Sequence, residues 1–188
     1  MGAAVHAGSH HTWHRTRLRG ARPYPQRVPG PHGRLVAAVN VLQPAEDGRV
    51  LVVRMSSSTA TPGCWQLPGG SVEPPLDGAA LDESALAGQA ARELAEELGI
   101  GVAAGDLTLW VVTRGKNRSI GLTYLAPALP EETLHVAFAA AAATERAEGR
   151  EPELDDIALV RSPEELAGLA GPHADYLEPV VRRFSGHR

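Results

Sequence analysis

Residues 92–100 read RELAEELGI, and the interpretation of the whole chain depends on this stretch. Three of its nine residues are glutamates. On a helix, which turns by about 100° per residue, these glutamates fall within roughly a third of the circumference. A glycine follows, and glycine commonly ends a helix in the left-handed conformation. The stretch therefore predicts the last turns of a helix that carries a cluster of carboxylates.

The helix is predicted to run from Asp82 to Leu98, because apolar residues recur every four positions along it. This apolar stripe consists of Leu86, Ala90, Leu94 and Leu98. Asp82 is suited to cap the amino end, and Gly99 stands where a left-handed carboxy-terminal cap belongs. The stripe predicts that one helix face packs on a core beside the glutamates.

The carboxylates of Glu93, Glu96 and Glu97 repel one another, since like charges at i,i+4 spacing destabilise a helix by about 0.2–0.5 kcal/mol per pair. Arg92 can pair with Glu96, but one arginine cannot neutralise three acids. From these residues alone, the cluster is either a solvated helix face or a divalent metal site. Mg²⁺ takes carboxylate and phosphate oxygens, so such a site could hold a diphosphate while one glutamate accepts a proton from the attacking water.

Strand signals surround the helix. Apolar runs at 35–42 and 50–53 flank the turn signal Asp47-Gly48 and predict a β-hairpin, and residues 65–67 predict a short strand. Further strands are predicted at 107–113, 119–125 and 157–160, and further helices at 133–148, 163–169 and 173–184. This alternation predicts an α/β domain with a mixed β-sheet.

The residues around the three glutamates resemble the motif of a known protein family. Residues 92–100 match the Arg-Glu-aliphatic-x-Glu-Glu-x-Gly-aliphatic half of the Nudix box at every specified position, and residues 67–73, LPGGSVE, resemble the loop that precedes the box. The chain thus resembles the Nudix hydrolases over about residues 34–127. The resemblance implies an α/β/α sandwich with a mixed β-sheet. It also implies metal-dependent hydrolysis of the diphosphate linkage in a nucleoside diphosphate joined to another moiety, or in a related pyrophosphate.

The resemblance also implies roles for individual residues. Glu93, Glu96 and Glu97 would be ligands of Mg²⁺, with Mn²⁺ as the alternative ion, and the carbonyl of Gly69 would add a ligand. Glu93 is in addition a candidate for activating the water, and Glu97 is expected to be essential for turnover. Arg92 would orient the carboxylates rather than touch the substrate.

The chain departs from the family in the first half of the box. The family pattern places 13 residues between its glycine and its arginine, whereas 21 separate Gly70 from Arg92, an expansion of eight. Ser84 stands where the family has its first glutamate. Glu83, one position away, is the favoured substitute as a metal ligand, and Glu73 is the alternative. The expansion leaves the other three glutamates untouched.

Length and composition indicate the number of domains, the partners and the localisation. The 188 residues are enough for one domain, and residues 1–33 are expected to be a poorly ordered basic extension before a hydrolase domain at 34–188. Six arginines and no acid lie within residues 1–34, so the rest carries 12 basic and 22 acidic side chains. We do not expect nucleic acid as a partner, because an acidic domain repels the phosphates of nucleic acid. With one cysteine and no long apolar run, we expect a cytoplasmic protein without a membrane partner.

The substrate is less constrained. Arg114, Lys116 and Arg118 lie in one predicted turn and could bind substrate phosphates, although a solvated hairpin tip is the alternative. The aromatic residues that could stack on a base, each also a candidate core residue, are Trp65, Trp110, Tyr124 and Phe138. Acids outside the box that could supply a further base or ligand are Glu145, Glu148, Glu151, Glu153, Asp155 and Asp156.

Three functional hypotheses follow. The first is an enzyme acting on a small nucleotide or other diphosphate, and a homodimer is compatible with it. The second is a binding or regulatory module that keeps the fold without catalysis, which the expanded box favours and the glutamate triplet opposes. The third is an RNA-end processing enzyme that uses the arginines of residues 1–33 as an electrostatic arm.

Overall fold

The computed structural model describes residues 37–73, 80–115 and 118–186. The predictions for residues 1–33 and for Lys116, and most of the box expansion, lie outside the described residues. The strands are β1 Ala37–Leu42, β2 Val50–Met55, β3 Trp65–Gln66, β4 Gly69–Ser71, β5 Thr108–Arg114, β6 Ile120–Leu125 and β7 Leu154–Val160. The helices are α1 Glu83–Leu98, α2 Glu131–Ala147, α3 Pro163–Ala167 and α4 Leu177–Ser185, with a 3-10 turn at Ala104–Asp106.

The strands form two sheets. The first has the order β4-β1-β6-β5 and is mixed, because β1 runs parallel to β6 while its pairing with β4 and the β5–β6 pairing are antiparallel. The second has the order β3-β2-β7 and is antiparallel throughout. The predicted mixed sheet is confirmed. The strand β4 was missed, because its glycines carry a turn signal and no alternation of apolar residues.

The predicted hairpin between the first two strands is wrong in its extent. Near the turn, Ala45 N–H donates to the Arg49 carbonyl at 2.8 Å and Leu51 N–H donates to the Gln43 carbonyl at 3.0 Å. Beyond these bonds the strands separate, and β1 joins the first sheet while β2 joins the second. Both strands are apolar on both faces, so their residues predict burial without specifying which strands they pair with.

Helices cover both faces of the sheets. Val39 and Val41 of β1 pack into a core with α1 and α2, whereas Leu42 packs into a second core with α3 and α4. The second sheet divides in the same way, because Leu51 and Val53 join the first core while Val50 and Val52 join the second. This alternation follows from the two-residue period of a strand. The predicted α/β/α sandwich is confirmed.

Helix α1 has the predicted caps and stripe. The Asp82 carboxylate accepts a hydrogen bond from Ala85 N–H at 2.9 Å. Gly99 ends the helix at φ 69°, and its N–H donates to the Ala95 carbonyl. Three residues of the predicted stripe, Ala90, Leu94 and Leu98, are fully buried.

The other helices differ from their predictions by a few residues at their ends, and α4 begins at Leu177 rather than near residue 173. Among the helices of the described residues, none combines the length and the hydropathy needed to cross a bilayer.

Two glycines of α1 give a test of its energetics. Gly88 lies inside the helix, and a Cβ added there meets no atom within 4 Å. We expect Gly88→Ala to raise the free energy of unfolding by about 0.5–1 kcal/mol, because alanine loses less backbone entropy on folding. Gly99→Ala should lower it by about 1–2 kcal/mol, since the left-handed cap disfavours a side chain. Urea denaturation of both variants checks this; a Gly88→Ala protein no more stable than the parent would contradict it.

Candidate metal and substrate site

The glycine loop is joined directly to the glutamate helix. Between β3 and β4 the chain passes through Pro68, whose carbonyl accepts a hydrogen bond from Val41 N–H at 2.8 Å. The next N–H group, that of Gly69, donates to Glu97 Oε2 at 3.0 Å. The edge strand β4 is therefore attached to β1 on one side and to the carboxylate of α1 on the other.

Both glycines of this loop lie in close contact with neighbouring atoms. Gly69 has φ +150°, and a Cβ there would lie 2.1 Å from the Val39 carbonyl oxygen, which is part of the backbone of β1. A Cβ on Gly70 would lie 2.6 Å from Glu93 Oε2. The absence of side chains at 69 and 70 lets the loop approach the strand and the helix at once. Glu93 and Glu97 are thus brought together with Gly69 and Gly70.

The predicted site residues of α1 lie in different environments. Glu97 is only 8% exposed, Glu93 is half-buried, and Glu96 and Arg92 are exposed. Glu97 follows the buried Leu94 by three residues, so the two side chains lie on the same side of the helix. The exposed fraction of the side chains therefore increases around α1 from Glu97 to Glu96. The site is therefore centred on Glu97 and Glu93, with Glu96 at its solvent side.

Glu97 is an electrostatically costly group. Burial, as the largest cause, raises the pKa of Glu97 well above its ordinary value, and the charges of Glu153, Glu93 and Glu145 raise it further. The hydrogen bond from Gly69 N–H acts in the opposite direction and lowers the pKa. The three charged groups that act on Glu97 are all carboxylates, and two of them lie outside the Nudix-like motif.

Of these two outside acids, Glu145 lies in the last turns of α2 and Glu153 lies in the segment between α2 and β7. One Glu145 oxygen accepts a hydrogen bond from Arg150 at 2.5 Å, and the other accepts from Glu153 N–H at 3.1 Å. The Glu153 carbonyl accepts from Ser56 N–H at 2.9 Å, which ties the segment to the end of β2. The sequence named six such acids without ranking them, because only long-range packing determines which of them lie near α1.

Glu73 and Glu83, the two candidates to replace the missing box glutamate, lie in different places relative to α1. Gln89 of α1 holds the backbone of Glu73 at both groups, since Glu73 N–H donates to Oε1 at 3.1 Å and Nε2 donates to the Glu73 carbonyl at 2.7 Å. Glu83 is the first residue of α1. At about 1.5 Å per residue it lies roughly 15 Å along the helix axis from Glu93, too far for both to hold one ion. The geometry therefore disfavours Glu83 as a ligand of the same ion as Glu93, and it places the backbone of Glu73 against α1.

A divalent cation fits the donor set of this cluster. Glu97 is a buried carboxylate on which the charges of three further carboxylates act, and hard oxygen donors of this kind suit Mg²⁺ and similar ions. Within the described ranges, however, no three His, Cys, Asp or Glu side chains converge into a preformed metal cluster. The argument for a divalent cation therefore rests on two observations. The donors are carboxylate oxygens, and the charged groups that act on Glu97 are all negative.

The predicted phosphate-binding turn lies at the other edge of the mixed sheet. Arg114 and Arg118 are both exposed in the turn between β5 and β6, which is closed by a hydrogen bond from Gly115 N–H to the Ser119 carbonyl at 2.9 Å. Strand β5 is three strands from β4, a distance of roughly 14 Å. The two arginines are not placed beside Glu97, so any role in substrate binding would concern a distant part of the substrate.

Two of the candidate stacking aromatics are buried, and the other two pack against the margins of the cores. Trp65 is 4% exposed and Tyr124 is 1% exposed. Trp110 packs edge-to-face on Phe184 of α4, with ring centroids 6.0 Å apart. Phe138 packs at the margin of the first core. These positions match the alternative that each aromatic is a core residue.

Comparisons with known proteins cover most of the chain. The NUDIX domain family model matches residues 33–184. Among solved structures, a MutT protein from Methanosarcina mazei Go1 is similar at 24% identity and a TM-score of 0.55, covering 81% of this chain and 94% of that chain. The NUDIX domain of NrtR from Shewanella oneidensis, complexed with ADP ribose, is similar at 16% identity and a TM-score of 0.52, covering 86% and 93%.

A third similar structure is a bifunctional NMN adenylyltransferase/ADP ribose pyrophosphatase from Francisella tularensis, at 18% identity and a TM-score of 0.52. That match covers 81% of this chain and 41% of the larger protein. At these identities the structures show a shared fold. No curated protein matches the chain.

The charge of Glu97 gives a pH-dependent prediction for the protein in EDTA. Between the ordinary pKa of a glutamate and the raised pKa of Glu97, the native state keeps a proton that the unfolded state has lost, so stability falls as pH rises. Glu97→Gln keeps an oxygen for the Gly69 N–H but has no charge. We expect the variant to have the higher melting temperature, with a difference that is smallest near pH 4 and grows toward pH 8. Thermal denaturation across pH, with the exposed Glu132→Gln as control, measures this; a difference independent of pH would contradict it.

The two loop glycines give a matched pair. Gly69→Ala should lower the free energy of unfolding by roughly 2 kcal/mol or more, because the new Cβ meets the fixed backbone of Val39. Gly70→Ala should cost less than about 1 kcal/mol, since the Glu93 carboxylate is the movable end of a flexible side chain. Urea denaturation of both variants compares them. Equal losses would show that the loop does not approach β1 as described.

Proposed function

The chain belongs to the Nudix family, and we propose that it is a metal-dependent pyrophosphohydrolase that cleaves the diphosphate linkage of a nucleoside diphosphate joined to another moiety. The observation that carries this proposal is the buried Glu97 carboxylate, held by Gly69 N–H and surrounded by other acids. Isolated buried charges of one sign are costly, and a site that binds a cation gives such an arrangement a function.

The residues proposed to hold the ion are the carboxylates Glu93, Glu96 and Glu97 and the carbonyl of Gly69. Glu153 is added to this set, because its charge acts on Glu97 from the segment before β7. Glu83 is left out because of its distance along α1. When bound, Mg²⁺ or Mn²⁺ supplies charge neutralisation for the diphosphate and activation of a water molecule.

The chain's own residues would then direct the proton and the substrate. The oxygen of a water molecule attacks one phosphorus, the bond from that phosphorus to the bridging oxygen breaks, and the second phosphate leaves with the bridging oxygen. Glu93, half-buried against Gly70, is proposed to accept the proton of the water, with Glu153 as the alternative base. Arg92 is proposed to position the neighbouring carboxylates from the exposed side of α1.

Metal binding is expected to be coupled to deprotonation of Glu97. Because burial and like charges raise the pKa of Glu97, a cation must displace a proton from this carboxyl group in the interval below the raised pKa. Affinity for the ion should therefore rise with pH.

A binding module without catalysis is the second candidate, and the expanded box is the observation in its favour. A substrate panel distinguishes the two candidates. The full-length protein is incubated with Mg²⁺ and ADP-ribose, nucleoside diphosphate sugars, dinucleoside polyphosphates or nucleoside triphosphates, and phosphate is measured after phosphatase treatment of the products. Turnover of at least one compound supports the enzyme. Tight binding of one compound without any turnover would support the binding module instead.

Glu97 is the residue whose loss should affect turnover most clearly. We expect Glu97→Gln to lower kcat/KM by roughly 100-fold or more, because a charged ligand is lost while the fold stays intact. Glu132→Gln, on the exposed face of α2, should leave kcat/KM unchanged. Steady-state kinetics on the best compound of the panel, with circular dichroism to verify folding, measures both variants. A Glu97→Gln enzyme with near-native rates would refute the ligand assignment.

A further inference from the structure

Helix α2 presents an aliphatic side chain directly away from the core. Its inner side carries Leu134 and Phe138, which both pack in the first core. At about 100° per residue, Val136 lies roughly 160° around the helix from each of them. Val136 is 61% exposed, although valine is a residue that folding usually buries. The outermost line of α2 is therefore not the polar face that a surface helix normally has.

The apolar character continues along this side of the helix. Ala140, Ala143 and Ala147 follow Val136 at helical spacing and lie within about 40° of its direction. All three are exposed. These four residues are called here the outward face of α2. A continuous apolar face on an exposed helix is typical of a surface that a partner covers.

Two opposite charges stand at the two ends of the outward face. Glu132 lies one turn before Val136, and Arg146 lies in the last turn of α2. Both are exposed, and neither side chain forms an ion pair with another residue of the described ranges. They lie on the same flank of the outward face, about 40° and 80° around the helix from Val136. The flank is therefore acidic at one end and basic at the other.

This distribution of charge is complementary to itself in one orientation. A two-fold axis that relates two antiparallel helices brings the same flank of each together and reverses its direction. Ala139 is the midpoint between Glu132 and Arg146. With the axis at its level, each Glu132 lies level with the partner's Arg146, and each Val136 lies beside the partner's Ala143. Alanine side chains let two helix axes approach to about 8 Å, the lower end of the usual range.

We propose that the outward face of α2 binds a second copy of this chain, with the two α2 helices antiparallel and a Glu132–Arg146 ion pair at each end. One pair of 17-residue helices, each about 25 Å long, buries less than the roughly 1,600 Å² of a standard interface. The dimer is therefore expected to dissociate in the micromolar range. Glu145, whose charge acts on Glu97, lies about 180° around α2 from Val136, so pairing leaves the glutamate site open.

Sedimentation equilibrium of the full-length protein tests the location of the interface. The parent should change from monomer to dimer between roughly 1 and 500 μM. Ala140→Arg should be monomeric throughout, because it places a long charged side chain at the closest approach of the helices. Ala167→Arg, the same change at an exposed position of α3, should behave as the parent does. Circular dichroism verifies the folding of each variant. A parent that is monomeric at every concentration, or an Ala140→Arg protein that still dimerises, would overturn the proposal.

Mixing two charge-reversed variants tests the antiparallel orientation. Arg146→Glu alone and Glu132→Arg alone should each dimerise at least roughly tenfold more weakly than the parent, since like charges then meet at both ends. An equimolar mixture should dimerise about as well as the parent, because both ends of the mixed pair carry opposite charges. A mixture no stronger than its components would refute the antiparallel arrangement. If deleting residues 1–33 turns a monomeric parent into a dimer, that segment and not a second copy covers the face, and the proposal is wrong.

Discussion

The burial of the Glu97 carboxylate against the N–H of Gly69 is the constraint on which the rest of the site depends. It determines how closely β4 lies to α1, and therefore why neither Gly69 nor Gly70 can carry a side chain without displacing something. Such a carboxylate is destabilising in the absence of a cation, because burial and neighbouring acids both oppose its charge. The fold tolerates this cost where a bound ion and substrate would remove it.

Strand β1 joins the glycine loop to the rest of the mixed sheet. Its odd-numbered residues Val39 and Val41 pack under the glutamate helix, while Asn40 between them belongs to the opposite face. Pairing with β4 brings the glycine loop to one edge of β1, and pairing with β6 brings Thr123 to the other.

Local features were predictable and long-range ones were not. The span, caps and apolar stripe of α1 follow from residues within a few positions of one another, and all three are confirmed. The hairpin prediction failed because β1 and β2 are apolar on both faces, so their pattern does not specify partners. The importance of Glu153 and Glu145 was likewise hidden, because about 50 residues of chain separate them from Glu97 and only packing brings their charges near it.

The sequence by itself determined the family and the glutamate helix, because the motif is contiguous and the helix follows from residues a few positions apart. Tertiary structure decided which acids act on the charge of Glu97 and that the backbone of Glu73 is held against α1 by Gln89. These relations depend on strand register and on contacts between distant segments. Neither is encoded in spacing along the chain, because register emerges only when all the strands and helices bury their apolar faces together.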